Sequence, residues 1–270
     1  MECELTIKGI IGGTGYGALL SSSEFTPTEI NTPFGDALVT LGSGQNGDLA
    51  FIPRHGADHS FPPHRVNYRA NLMALYQLGV ERIIALSTVG GLVESIPAGA
   101  FVLVDQLVDF TQGRDETFFD GGEWGTAHTD MTEPFCRALS TDILGQAASR
   151  GVEVQPSGVY MAFRGPRLET AAEIQVFVQL GGTVVGMTGA PEATLARELG
   201  MHYAMLCTSV NLAAGLEGSN IKFSRDKQAA WGETLLGVTI ATLRGDFTGN
   251  CGCTEGRRIL HQPTAWTVER

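Results

Sequence analysis

The chain has 270 residues, 43% of them hydrophobic and 17% charged, which suits a single covered α/β core and excludes a disordered, highly charged chain. A formal net charge of -11 excludes a general binder of nucleic-acid phosphates, which needs clustered Lys and Arg, yet leaves room for a small anion held by one Arg and backbone N–H groups. No stretch approaches the roughly 18 apolar residues of a membrane span, and the acidic start M-E-C-E-L-T-I-K-G-I is unlike a signal peptide, so the expectation is a soluble cytoplasmic protein.

Residues 5–11 form a short β-branched run that stops at G-G-T-G-Y-G (12–17), a strand feeding a glycine-rich loop whose backbone N–H groups can face an anion. Gly13, Gly15 and Ala18 also match a dinucleotide fingerprint, but residues 19–34, with three consecutive Ser, Pro27 and Pro33, lack the helical period it requires. Strand-like runs at 37–41 and 48–52 flank G-S-G-Q-N-G and predict a hairpin.

A dense polar segment, R-H-G-A-D-H-S-F-P-P-H-R-V-N-Y-R-A-N (54–71), leads into a helix over 66–78 with Gly79 past its end. Residues 82–86 read as a buried strand ending in S-T-V-G-G, and 100–104 as another. Thr132 as N-cap and Pro134 in the first turn predict a helix closed by Gly151. Strands follow at 152–162, 183–185 and 201–210, the last ending at Asn211; helices are expected from about Thr170 to Val178, over 191–199 and over 225–243. The domain is placed at 1–245, and 246–270 reads as a tail or partner-contacting arm.

Alternating strands and helices predict one α/β domain with a mixed, largely parallel sheet flanked by helices, and ligands in such sheets sit beyond the carboxyl ends of the strands. The polar stretches 12–17, 54–56, 87–91 and 187–189 and Asn211 all fall at such ends, so they are expected to converge on one pocket. Thr14, Ser87, Thr88 and Thr188 offer hydroxyls, Arg54 a planar fork and His55 a donor to an oxyanion, which describes a phosphate pocket. Taken singly, each Ser or Thr equally suits a helix cap or turn.

His55, His59 and His64 lack a continuous helix on which to share a metal, and no metal is expected there. The five cysteines form one pattern, Cys251-Gly-Cys253, which without a second pair favours a local redox pair or no role over zinc. Cys207 lies mid-strand and reads as core.

These residues resemble the methylthioadenosine phosphorylase and purine nucleoside phosphorylase family. The resemblance rests on I-I-G-G-T-G (10–15), T-P-F-G (32–35), the 54–71 segment, T-V-G-G-L (88–92), D-Q-L-V-D-F-T (105–111), T-F-F-D-G (117–121), G-P-R-L-E-T-x-A-E (165–173) and V-V-G-M-T-x-x-P-E-x-x-L-A-R-E-L (184–199).

The resemblance implies the nucleoside phosphorylase fold and a reaction in which phosphate displaces a purine from C1′ of a nucleoside. It implies no metal and no cofactor, inorganic phosphate being a substrate, and an assembly of homotrimers or dimers of trimers. By similarity, Thr14, Arg54, His55, Ser87, Thr88 and Thr188 hold phosphate. His59 and Met187 lie by the sugar and Asn211 by the base, Ala213 is a further substrate-binding residue, and Asn211 and His55 are the catalytic pair.

Asn211 stands where methylthioadenosine phosphorylases carry Asp, and Glu169 where adenine-specific members often carry Ser. An amide can donate to a six-oxo group and accept from N7–H, and a carboxylate can accept N1–H, so both positions imply a 6-oxopurine. The alternative reading of Glu169 is a solvated carboxylate at a helix start. Phe223, Ser224 and Arg225 fall near the expected 5′ pocket, where S-methyl-5′-thioinosine is favoured, with inosine and guanosine as competitors. An S-methyl-5′-thioadenosine phosphorylase, or a nucleotide-binding protein without catalysis, are the other functions considered.

Overall fold

The structure, a computed structural model, describes residues 6–13, 24–216, 219 and 225–267. Its frame is a sheet in which β1 (Lys8–Gly12), β4 (Leu49–Pro53), β5 (Arg82–Gly91) and β11 (His202–Leu212) run parallel. Strands buried on both faces need apolar side chains at every position rather than at alternate ones. The sequence supplies them: I-I in β1, L-A-F-I in β4 and I-I-A-L in β5 are all buried.

Alternation along each strand then sorts these side chains to two faces. Ile11, Ile52, Ile83, Ala85 and Met205 face a core shared with α1 (Tyr68–Gln77) and α4 (Gly189–Glu198). Ile10, Phe51, Ile84, Leu86 and Leu206 face one shared with α2 (Arg137–Ser149) and α5 (Arg225–Arg244).

The remaining strands extend this frame. β2 (Phe25–Thr32) and β3 (Gly35–Gly42) form a hairpin, and β3 continues antiparallel onto β4, as expected for the 37–52 region. β10 (Val184–Gly186) pairs with the end of β5 and leads through β9 (Val159–Ala162) to β7 (Gln106–Asp109), while β6 (Phe101–Val104) lies on β11. α3 (Ala171–Gln179) starts from a complete capping box: Thr170 accepts from the Glu173 N–H, and the Glu173 carboxylate accepts from the Thr170 N–H.

Four expectations change. The strand expected over 152–162 is confined to β9, with 152–158 leading into it as irregular chain. The helix predicted from Thr132 begins at Arg137, with Cys136 as its N-cap. The Asp130 carboxylate captures the Thr132 N–H in a turn, and the Cys136 N–H is held by the Tyr203 carbonyl, which keeps 132–136 out of the helix. Ser87 to Gly91, read as a loop, continues β5. The segment after 245 is packed: β12 (Arg257–His261) pairs with β8 (Thr126–Thr129), and buried Trp266 sits among Phe34, Phe118 and Phe119.

Candidate active site

Arg54 follows β4 directly and is 2% exposed, an unusual position for a cation. It survives there because α4 presents Glu192. Two guanidinium nitrogens, Nε and Nη2, donate to the two Glu192 oxygens, the second at 2.9 Å, and Nη1 donates to the Leu86 carbonyl at 3.0 Å. The Tyr203 hydroxyl completes the group by donating to Glu192 at 2.9 Å. Burial opposes the Arg54 charge, but the Glu192 carboxylate outweighs it and holds the guanidinium firmly protonated. Gly13 lets this fork stand against β1, since a Cβ there would lie 3.1 Å from Arg54 Nη1 and 3.4 Å from the His55 ring.

His55 donates from Nδ1 to the Phe61 carbonyl at 2.8 Å, a tautomer that leaves Nε2 as an acceptor. Burial, with the Arg54 charge second, lowers its pKa to about 4, so near neutral pH it is uncharged. The expected oxyanion donor is therefore a neutral ring whose Nε2 can accept a hydrogen bond. The His59 ring lies tilted against it at 4.8 Å between centroids, and His59 has a φ of 64°, a left-handed conformation that is uncommon for a residue with a Cβ and recurs at binding sites.

Ser87, in β5, and Thr188, at the N-cap position of α4, are both buried, and their hydroxyls lie 3.5 Å apart. The Thr188 hydroxyl makes no cap hydrogen bond. The Thr188 and Gly189 N–H groups donate instead to the Tyr160 hydroxyl at 3.1 and 3.3 Å. The side chain is thus free of the helix-cap role that its position would assign. Met187, one residue earlier, is fixed by Arg114, which donates to its carbonyl at 2.6 Å, and by Gly165, where a Cβ would meet the Met187 sulfur at 2.4 Å.

Asn211 follows a bulge in β11 that sets it opposite Gly90. Its amide nitrogen donates to the Leu212 carbonyl at 2.7 Å, leaving one N–H and the carbonyl oxygen for a ligand. Glu169 precedes the Thr170 cap, and because Glu173 takes the capping role, Glu169 is half-buried at the pocket wall instead. Burial is the main cause that raises its pKa above the ordinary carboxylate value. α3 and the chain beyond Asn211 meet closely, since a Cβ on Gly215 would lie 2.5 Å from that of Ala171.

All of these side chains line one cleft of about 450 Å³: Arg54, His55, His59, Ser87, Thr88, Glu169, Met187, Thr188, Asn211 and Ala213. That volume is in the range of a small-molecule site. Thr14, Phe223 and Ser224 lie outside the described residues, as does the side chain of Arg225, which opens α5. Glu192, Tyr203, Tyr160 and Arg114 were not read as site residues. Of these, Glu192 left a trace, as a carboxylate on the buried face of an Ala-rich helix.

A family model described as "Phosphorylase superfamily" matches residues 8–244. The chain belongs to this superfamily. Among similar phosphorylases is the 6-oxopurine nucleoside phosphorylase of Pyrococcus furiosus, 45% identical over 220 residues that cover 80% of this chain and 83% of that protein. The S-methyl-5′-thioadenosine phosphorylase of Pyrococcus abyssi is 46% identical over 202 residues, covering 74% and 77%. Among solved phosphorylases, methylthioadenosine phosphorylase of Schistosoma mansoni in complex with tubercidin superposes with a TM-score of 0.79 at 28% identity, covering 88% of this chain and 90% of that one.

Two measurements follow from the geometry. Glu192→Ala strands the Arg54 charge and should cost about 3–5 kcal/mol in urea unfolding, while the paired Arg54→Met, Glu192→Leu replacement should recover most of it; equal losses would show that the pair is not a unit. Between pH 6.5, the ordinary His value, and about 4, the unfolded chain binds a proton at His55 that the folded chain does not, so stability falls as pH drops through this window. His55→Asn should lose less stability than the parent between pH 7 and pH 4.5 in denaturant titrations.

Proposed function

We propose that this phosphorylase cleaves the N-glycosidic bond of a 6-oxopurine nucleoside with phosphate, giving the free base and ribose 1-phosphate or its 5-methylthio form. The observation that carries this reading is that a carboxylate, Glu169, and a carboxamide, Asn211, line the same cleft as the Arg54, Ser87 and Thr188 cluster. Along β5, Gly90 beside Asn211 is three residues from Ser87, about 10 Å, the span of a nucleoside between its base and a phosphate near C1′.

In this reading phosphate lies against Arg54, Ser87, Thr88 and Thr188, with Thr14 as a further donor, and places a P–OH on His55 Nε2. Its nucleophilic oxygen attacks C1′ as the C1′–N9 bond breaks and the electron pair leaves with the purine. Positive charge gathers on the sugar, next to the phosphate, and negative charge on the base. Asn211 meets that charge through its remaining N–H at the six-oxo group, and once a proton from solvent reaches N7 of the departing base, the Asn211 oxygen accepts from that N7–H. Glu169 accepts N1–H, a proton that adenine lacks. Met187 and His59 bound the sugar, and Ala213 the base.

The names of similar proteins favour both a 6-oxopurine substrate and S-methyl-5′-thioadenosine, so the base assignment rests on Glu169 and Asn211. S-methyl-5′-thioinosine is the favoured substrate, with inosine and guanosine as close competitors. A trimeric assembly accompanies this reading and is supported by three exposed apolar side chains, Val176 on α3, Leu180 at its C-cap and Leu168 at the cleft. A cytoplasmic, reducing setting suits the thiols of Cys136, Cys207, Cys251 and Cys253, none of which is in a disulfide.

Phosphate-dependent base release from inosine, guanosine, S-methyl-5′-thioinosine, adenosine and S-methyl-5′-thioadenosine tests the assignment. The 6-oxopurine nucleosides should lead in kcat/KM on the order of 100-fold; fastest turnover on an adenine nucleoside would overturn the base assignment, and NAD binding without any base release would return the cleft to simple nucleotide binding. Asn211→Asp should shift the ratio of kcat/KM toward adenine by roughly tenfold, the worth of about one hydrogen bond. An unchanged ratio would remove Asn211 as the reader of the base.

A further inference from the structure

The Cys-Gly-Cys pattern gains a second half in three dimensions. Cys136, at the N-cap of α2, and His202, the first residue of β11, meet Cys251 and Cys253 from the segment after α5, and the four donor atoms all lie within 4.8 Å of one another. The Cys136 and Cys251 sulfurs are 3.6 Å apart, and His202 Nδ1 is 3.6 Å from the first and 3.1 Å from the second. A tetrahedral zinc site has edges of about 3.8 Å between sulfurs and about 3.6 Å from sulfur to nitrogen, given its usual bond lengths. The cluster is therefore close to that size before any ion draws it in.

The chemistry of the donors agrees with the geometry. Three thiols and one imidazole make the Cys₃His set of closed structural zinc sites, too soft for magnesium or calcium. Cys136 receives the Leu139 N–H at 3.4 Å, and a helix N-terminus favours the thiolate form that a metal requires. Cys136 and Cys253 are buried at 2% and 3% exposure in the core shared by α2 and α5, and the His202 ring is braced edge-on by Phe247 at 4.7 Å.

We propose that Cys136, His202, Cys251 and Cys253 bind one zinc-type divalent ion that clamps the segment after α5 onto the body of the protein. All four positions of the ion are filled by protein, so it has no open site for a reactant. The cluster lies at the opposite end of β11 from Asn211, nine residues and about 30 Å away, so the ion holds structure and takes no part in the cleft's chemistry. The clamped segment is the one that carries β12 onto β8 and Trp266 into the aromatic cluster.

Full-length, untagged protein purified under reducing conditions and dialysed against metal-free buffer should retain one zinc per chain by mass spectrometry of the elements. Stripping it with a strong chelator should lower Tm, and zinc at about 100 times its Kd should restore roughly 5–10 °C, while magnesium should not. Cobalt in its place should give the visible bands of a tetrahedral thiolate site. His202→Cys should keep the ion, since Cys₄ is also a zinc set, and should serve as the folded control if Cys251→Ser, Cys253→Ser is insoluble. Reduced protein that holds no zinc and shows no rise in Tm on adding it would overturn the proposal, as would a Cys251–Cys253 or Cys136–Cys251 disulfide in protein isolated without oxidant. None of these readouts depends on nucleoside turnover.

Discussion

The buried pair between Arg54 and Glu192 is the constraint on which the cleft depends. A guanidinium taken out of water is costly, and the carboxylate that compensates it must be close, well oriented and itself satisfied. Tyr203 supplies that satisfaction from β11, so one polar group joins the end of β4, the first turn of α4 and a central strand. Charge neutralisation has a second effect. The fork offers an anion directed N–H groups on a rigid mount more than a free positive charge, so orientation outweighs attraction.

The same economy appears elsewhere in the cleft. Burial holds His55 neutral and makes the Glu169 carboxylate harder to ionise. The hydroxyls of Ser60, Ser87, Thr88 and Thr188, the Asn211 amide and apolar side chains such as Phe61, Val89, Val185, Met187 and Val210 form much of the rest of the wall. Such an interior interacts weakly with a neutral nucleoside and strongly with charge that develops within it, which is what separation of a purine anion from a sugar cation requires.

Much of this was legible in the sequence because parallel strands declare themselves. The runs in β1, β4, β5 and β11 are continuously apolar, and the polar residues at their ends can only meet at one edge. β2 was hidden because Pro27 and its exposed Thr and Glu side chains suit only an outer strand paired on one side, which reads like a loop. β8 and β12 form a separate two-stranded ribbon with partly exposed side chains, and nothing local marks them. Thr132 looked like a helix cap until the Asp130 carboxylate competed for its N–H. Glu192 and the partners of Cys251 could not be assigned without the fold, since Glu192 meets Arg54 across 138 residues and Cys251 meets Cys136 and His202 across 115 and 49.

Those separations also govern how the molecule comes into being. Arg54 and Glu192 are 138 residues apart, Cys136 and Cys251 115, and β5 must wait for β11 to complete its pairing. Closing loops of that length costs entropy before any contact repays it, which makes such topologies slow to fold. The binding cleft is therefore a late product of folding. Until α4 docks, the chain carries an unpaired guanidinium at the end of β4, and a half-assembled sheet offers open edges to its neighbours, so the interval before Glu192 arrives is when this protein is most exposed to aggregation.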